Sequence, residues 1–234
     1  MTVHLYFDIL AWLTAIAVRF WSVRHFRLQL TEVPPALRWR YTLVLLLGAG
    51  NGAMLAGTFN LWLQFPDALG HSVLGAIIGG IVTVEIFKHV HSLRHSTGVS
   101  WAMPLATAIA VGRLGCYFSG LPDYTYGIET SMPWGVDFGD GVTRHPVQLY
   151  ESSAMLLFAL TSLVALWARS TWYQRNGFYA FCLFYGVQRF VWEFLKPYAP
   201  LLGPLNLFHL LCLLLIGYAL ARMTFLRPHD PPRP

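Results

Sequence analysis

Seven apolar stretches dominate this 234-residue chain, at about 5–22, 41–63, 71–90, 101–118, 147–168, 177–196 and 205–223. A helix that crosses a bilayer needs about 20 mostly apolar residues. In lipid the backbone must satisfy its own hydrogen bonds, which a helix does within one segment. Only 12% of the residues are charged, about half the share in a soluble domain. Aromatic residues make up 15% of the chain, which excludes a disordered polymer. The expected fold class is all-α: a polytopic integral membrane protein with seven transmembrane helices, in one transmembrane domain over residues 1–234. Glu85, Arg189 and Glu193 weaken the third and sixth stretches on hydropathy, and the short fourth stretch ends near Gly112-Arg113.

Basic residues set the expected orientation, because cytoplasmic loops carry the excess of Lys and Arg. Arg19, Arg24, Arg27, Arg38 and Arg40 follow the first stretch, Lys88 and Arg94 the third, Arg169 and Arg175 the fifth, and Arg222, Arg227 and Arg233 the seventh. These are twelve of the sixteen Lys and Arg, and all fall on one side if the helices alternate. The N-terminus is therefore expected outside and the C-terminus in the cytoplasm. The net charge of +5 is a topology signal on this reading, since the basic residues are scattered between apolar stretches instead of forming a nucleic-acid surface. No basic leader with a small-residue cleavage site precedes the first stretch, so it is expected to stay in the mature protein.

Arg113, Arg144, Arg189 and Lys196 are the exceptions to this pattern. A charge within the bilayer costs about 2.5–3.5 kcal/mol on insertion scales, so a compensating partner is expected. The exterior loop at 119–146, rich in Gly, Pro and aromatic residues, reads as ordered; the four-proline tail at 227–234 reads as flexible. Cys116, Cys182 and Cys212 have no metal-ligand spacing and read as small hydrophobes. His71, His89, His91, His95 and His209 form no zinc motif, so neither a metal nor a cofactor is expected. Gly48/Gly52 and Gly75/Gly79 have the spacing of small-residue helix interfaces, and Glu85 reads as a structural partner of Lys88.

Three segments carry the candidate chemistry. Gly112 and Gly115 flank Arg113, where glycine would let a backbone or headgroup approach; the alternative is an arginine that snorkels from a helix end. Arg189 and Glu193 lie one helical turn apart, either as a self-neutralising pair or as a guanidinium oriented to bind an anion. The run Arg144-His145-Pro146-Val147-Gln148-Leu149-Tyr150-Glu151 marks the start of the fifth helix, with an interfacial belt as the alternative. Together they place three arginines, two glutamates and a histidine at outer-leaflet depth. Such a group suits a phosphate-bearing lipid headgroup and proton transfer. Arg113, Arg144, Gly112, Gln148 and Tyr150 are the candidate substrate-binding residues, and His145, Glu151, Arg189 and Glu193 the candidate catalytic ones.

The run Gly112–Phe118, the Pro133-Trp134-Gly135-Val136 loop, residues 144–151 and Gly186–Glu193 occur in the order seen in prolipoprotein diacylglyceryl transferases, which the chain resembles over roughly 71–196, its expected active-site half. The resemblance implies a seven-helix enzyme of the bacterial inner membrane, with its active site toward the periplasmic side. Such an enzyme moves a diacylglyceryl group from phosphatidylglycerol to the lipobox cysteine of a prolipoprotein and releases glycerol phosphate. It also implies that Arg113 and Arg189 are the functional arginines, with Glu151 and Glu193 at matching carboxylate positions. The chain departs from the family pattern at Leu74, where the family has a histidine, and at Cys116, Ser119 and Leu121, where it has two asparagines and a glutamate. These departures leave open a paralogue that uses the same anionic donor on a glycan or lipid acceptor, and a non-catalytic phospholipid-binding or transport protein.

Overall fold

The computed structural model of the protein describes residues 2–26, 28, 33–63, 67, 69–93 and 96–224. Arg27, Arg94, His95, Arg227, Arg233 and the 227–234 tail, all used in the sequence argument, lie outside the described residues. Among those described there are seven long helices: α1 (Thr2–His25), α2 (Arg38–Trp62), α3 (Val73–Val90), α4 (Val99–Ser119), α5 (Val147–Trp167), α6 (Thr171–Glu193) and α7 (Leu207–Thr224). Six of them, all but α6, are long and apolar enough to cross a membrane. Large apolar side chains such as Leu5, Trp12, Leu55, Val90 and Leu214 stand exposed on their flanks, as a lipid-facing surface requires. The chain is a mostly helical, multi-pass membrane protein.

Helix α6 is the one that hydropathy places least well. It starts six residues before its apolar stretch and ends three residues short of it. Ser170 caps its start, the hydroxyl accepting from the Tyr173 amide at 3.2 Å. Gln174, Arg175 and Asn176 then occupy its first turns, and Gln188, Arg189 and Glu193 its last. Polar residues at both ends dilute the apolar signal without breaking the helix.

The chain divides into two compact units, residues 1–29 with 98–197 and residues 30–97 with 198–234. In the first, α4 packs against α1, α5 and α6. A Cβ on Gly115 would sit 2.5 Å from Phe7, so glycine sets how closely α1 and α4 approach. Ser152 of α5 donates to the Ala110 carbonyl of α4 at 2.8 Å. Helix α4 stops at Gly120, whose φ of +66° and ψ of −140° suit glycine alone. The following loop is ordered, as its composition predicts: β1 (Val136–Asp137) pairs antiparallel with β2 (Thr143–Arg144). The loop is also tied at its middle, the Ile128 amide donating to the Leu195 carbonyl at 2.7 Å.

In the second unit, α2 and α3 meet through glycine. A Cβ on Gly52 would lie 2.3 Å from the Gly75 carbonyl oxygen, and one on Gly79 would lie 2.2 Å from that of Gly48. Both expected pairs thus form one close backbone interface. Glu85 of α3 takes Lys88 at 3.1 Å and the Tyr218 hydroxyl of α7 at 2.9 Å. A short antiparallel hairpin, β3 (Pro200–Leu202) and β4 (Leu205–Asn206), leads into α7. Asn206 and His209 close the start of α7 reciprocally, each side chain accepting from the other's amide at 3.1 Å.

Candidate active site

The cost of the charges in the first unit is offset by one carboxylate. Glu151, in the second turn of α5, is 1% exposed and receives three cations from three directions. Arg113 of α4 reaches it through Nε at 2.5 Å. Arg189 of α6 bonds its other oxygen, which Lys196 also approaches at 2.9 Å. A second guanidinium nitrogen of Arg189 pairs with Glu193 at 3.0 Å, one turn further along α6. All five groups are buried, and three cations face two carboxylates. An ion in low dielectric is tolerated only when paired in this way, and the surplus positive charge suits an anionic guest.

Sequence spacing predicts part of this arrangement. It places Arg189 with Glu193 and picks out Arg113 and Glu151, and the structure brings these four together. Lys196 is noted in the sequence only as an off-pattern cation and is not among the candidate site residues. Its position just past α6 carries no motif, so its role becomes visible only once the helix end is folded beside Glu151.

Arg144 does not join the network. Its guanidinium forks onto Asp140 at 2.7 and 2.8 Å, donates to the Val142 carbonyl at 3.0 Å and lies over the Tyr126 ring. The expected convergence of three arginines is thus a convergence of two with a lysine, because Arg144 is engaged by its own loop. Those hydrogen bonds hold the Asp140 carboxyl below the usual carboxylate range.

His145 and Tyr150 form a half-buried polar pair, with Nδ1 3.3 Å from the tyrosine oxygen. Trp134 donates its indole N–H to that oxygen at 2.7 Å, and Trp192 of α6 packs on the Tyr150 ring at 5.2 Å. Gln148 is fully buried, and among the described residues neither end of its amide has a partner. An unmet buried amide costs about 1–3 kcal/mol, which a polar ligand would recover. Gly112 faces α1, where an added Cβ would come 4.0 Å from Ala11. Leu74 is 1% exposed in the first turn of α3, in the second unit.

A family model for prolipoprotein diacylglyceryl transferase matches residues 8–225. Among curated proteins, the phosphatidylglycerol–prolipoprotein diacylglyceryl transferase of Clostridioides difficile is 32% identical over 158 residues, 66% of this chain and 60% of that protein. The protein of the same name from Coxiella burnetii is 33% identical, covering 68% of this chain and 63% of its own length. That from Ehrlichia ruminantium is 27% identical over 80% of this chain and 77% of its own length. The first two matches therefore span about three fifths of the relatives concerned.

Proposed function

We propose, because this chain belongs to the prolipoprotein diacylglyceryl transferase family, that it transfers a diacylglyceryl group from phosphatidylglycerol to the lipobox cysteine of a prolipoprotein and releases glycerol phosphate. The observation that carries the reading is the meeting of Arg113 and Arg189 on Glu151 in a buried site. In this reaction the acceptor thiolate attacks the glycerol carbon, the carbon–oxygen bond to phosphate breaks, and the electron pair leaves with the phosphate. Negative charge therefore accumulates on the leaving group, and pre-placed guanidinium groups lower that barrier. Glu151 and Glu193 hold the two arginines in orientation, and Lys196 adds a third positive charge. Gln148 offers its amide to the headgroup hydroxyls, and His145, the histidine beside Tyr150, takes the thiol proton in this reading.

The shared name of the relatives supports a prolipoprotein acceptor over a glycan or lipid one. In this reading α6 also spans the bilayer, its charges neutralised in place, which gives seven crossings in one transmembrane domain. The N-terminus is then outside, the C-terminus is cytoplasmic, and the site opens to the periplasmic side of the inner membrane. The test is a detergent assay with headgroup-labelled phosphatidylglycerol, with and without a lipobox peptide. Peptide-dependent release of labelled glycerol phosphate is the expected result, and release that ignores the peptide would overturn the acceptor. Arg189→Lys should lose roughly 10²–10³-fold in turnover, because an ammonium cannot serve Glu151, Glu193 and a phosphate with one planar fork. Near-full activity of that variant would exclude a phosphate clamp.

A further inference from the structure

Beside the ion network, three side chains from three segments meet around one point. His4 of α1, Cys116 of α4 and Asp123 of the loop bring Nε2, Sγ and a carboxylate oxygen within 4.8 Å of one another. The imidazole Nε2 is 3.0 Å from Asp123 and 3.6 Å from the sulfur, so one nitrogen faces two acceptors at once. The other nitrogen, Nδ1, is held by Asp8 at 2.8 Å, one turn further along α1. The second oxygen of Asp123 accepts from the Thr125 hydroxyl at 2.5 Å. Gly120 makes the turn possible, since its backbone conformation brings the chain from the end of α4 into the short turn that holds Asp123.

We infer that His4, Cys116 and Asp123 form a binding site for a thiophilic divalent cation, Zn²⁺ by its chemistry. Ligands around tetrahedral zinc lie roughly 3.3–3.8 Å apart, as follows from bond lengths of about 2.0–2.3 Å. The separations of 3.0 and 3.6 Å from the imidazole nitrogen lie close to that range, and the sulfur and the carboxylate oxygen lie within 4.8 Å of each other. One nitrogen, one sulfur and one oxygen make a donor set that zinc accepts and that magnesium and calcium, which prefer oxygen, do not. A thiolate and a carboxylate neutralise the divalent charge, which suits a site where Cys116 is buried. The surrounding contacts are those that tune a metal centre: a carboxylate on the far nitrogen of the histidine ligand, and a hydroxyl on the free oxygen of the carboxylate ligand.

Three protein ligands leave a fourth position open to water or an exogenous thiol. His4 is one-third exposed and Asp123 partly so, which gives the cation an entry path. Arg113 lies 3.8 Å from the Cys116 sulfur, so an occupied site would fix the same turn of α4 that supplies the phosphate-binding guanidinium. The site spans α1, α4 and the loop, and a cation there would join three parts of one unit.

The test is metal content and cobalt spectroscopy on the full chain in detergent, purified without a polyhistidine tag. The wild type should carry roughly one zinc per chain. After exchange it should show the thiolate-to-cobalt charge-transfer band and the strong visible bands of tetrahedral Co²⁺. Cys116→Ser should lose the charge-transfer band, His4→Gln and Asp123→Asn should lose the metal, and Asp8→Asn should weaken binding about 10–100-fold. Cys182→Ser and Cys212→Ser should keep both the metal and the band. Folded wild-type protein that takes up neither zinc nor cobalt overturns the inference, and so does a charge-transfer band that survives Cys116→Ser. The readout is independent of turnover, so failure of the transferase reading leaves this test intact.

Discussion

The two units differ in what makes their tightest helix interface. In the unit of α2, α3 and α7, the tightest contact is made by side chains that are not there: Gly52 against Gly75, and Gly48 against Gly79. In the unit of α1, α4, α5 and α6, three of the helices, α4, α5 and α6, are joined by charge, with Glu151 taking Arg113, Arg189 and Lys196. Lipid tails are as apolar as leucine, so apolar burial alone gives helices little reason to choose one another. Close backbone packing and buried ion pairs both supply that choice. Only the second also leaves charge in the interior, where the pairing with Glu151 and Glu193 offsets the cost of burial.

The largest expected effect comes from removing the hub of the charged unit. Glu151→Ala leaves three buried cations without their shared partner. It should destabilise the fold by about 3–5 kcal/mol and abolish turnover, read by thermal melts in micelles and by the glycerol phosphate assay. Retained stability would mean the cations are compensated elsewhere and would blur the contrast between the units. The glycine-packed unit should break next. Gly52→Leu forces a Cβ to within 2.3 Å of a backbone oxygen that no rotamer change can move, at about 1–3 kcal/mol or more. Gly50→Ala, two residues away with nothing within 4 Å of its added Cβ, should be neutral or slightly stabilising.

Smaller effects sharpen the comparison. Glu85→Gln removes a carboxylate that Lys88, Tyr218 and Arg222 approach and that is 30% exposed. Its cost should be about 1 kcal/mol or less, well below that of Glu151→Ala; an equal cost would show that both units depend on buried charge. Asp140→Asn should leave the melting temperature unchanged, because the Asp140–Arg144 pair is solvent-facing. Its carboxyl titrates lower in the folded loop than in the unfolded chain. The pair's contribution is therefore complete above the ordinary carboxylate range and is lost as the pH falls through the folded value. Limited proteolysis at 138–141 should accordingly speed up on acidification in the wild type and become insensitive to pH in the variant.

Most helices were legible in the sequence because hydropathy reports the lipid-facing surface, which is continuous along each of them. Helix α6 was offset because its ends are polar, and its capping serine lies outside the apolar run. Arg113, Arg189, Glu151 and Glu193 could be picked out because a charge in an apolar stretch demands a partner. Which partner each takes was not legible: Arg144 looked equivalent to the other two arginines until the loop folded Asp140 against it. The set of His4, Cys116 and Asp123 matches no zinc-motif spacing. A search for zinc motifs reads neighbours along the chain, and here one ligand lies more than a hundred residues from the next.

The hydrogen bond from Ile128 to Leu195 gives the loop a kinetic identity. Together with the bonds from His145 to Ile128 and from Thr130 to Thr143, it makes the middle of a surface connection behave like a buried strand. In hydrogen–deuterium exchange the amides of Ile128, Thr130 and His145 should label slowly, while those of the Gly139–Gly141 tip, held by the exposed Asp137 carboxylate, label faster. Leu195 precedes Lys196, so this bond ties the loop to the backbone that carries the third cation to Glu151, a backbone that the Leu195 and Lys196 amides also fasten to the Trp192 and Glu193 carbonyls. Exchange at the single amide of Ile128 therefore reads how firmly the loop is fastened to the segment that follows α6.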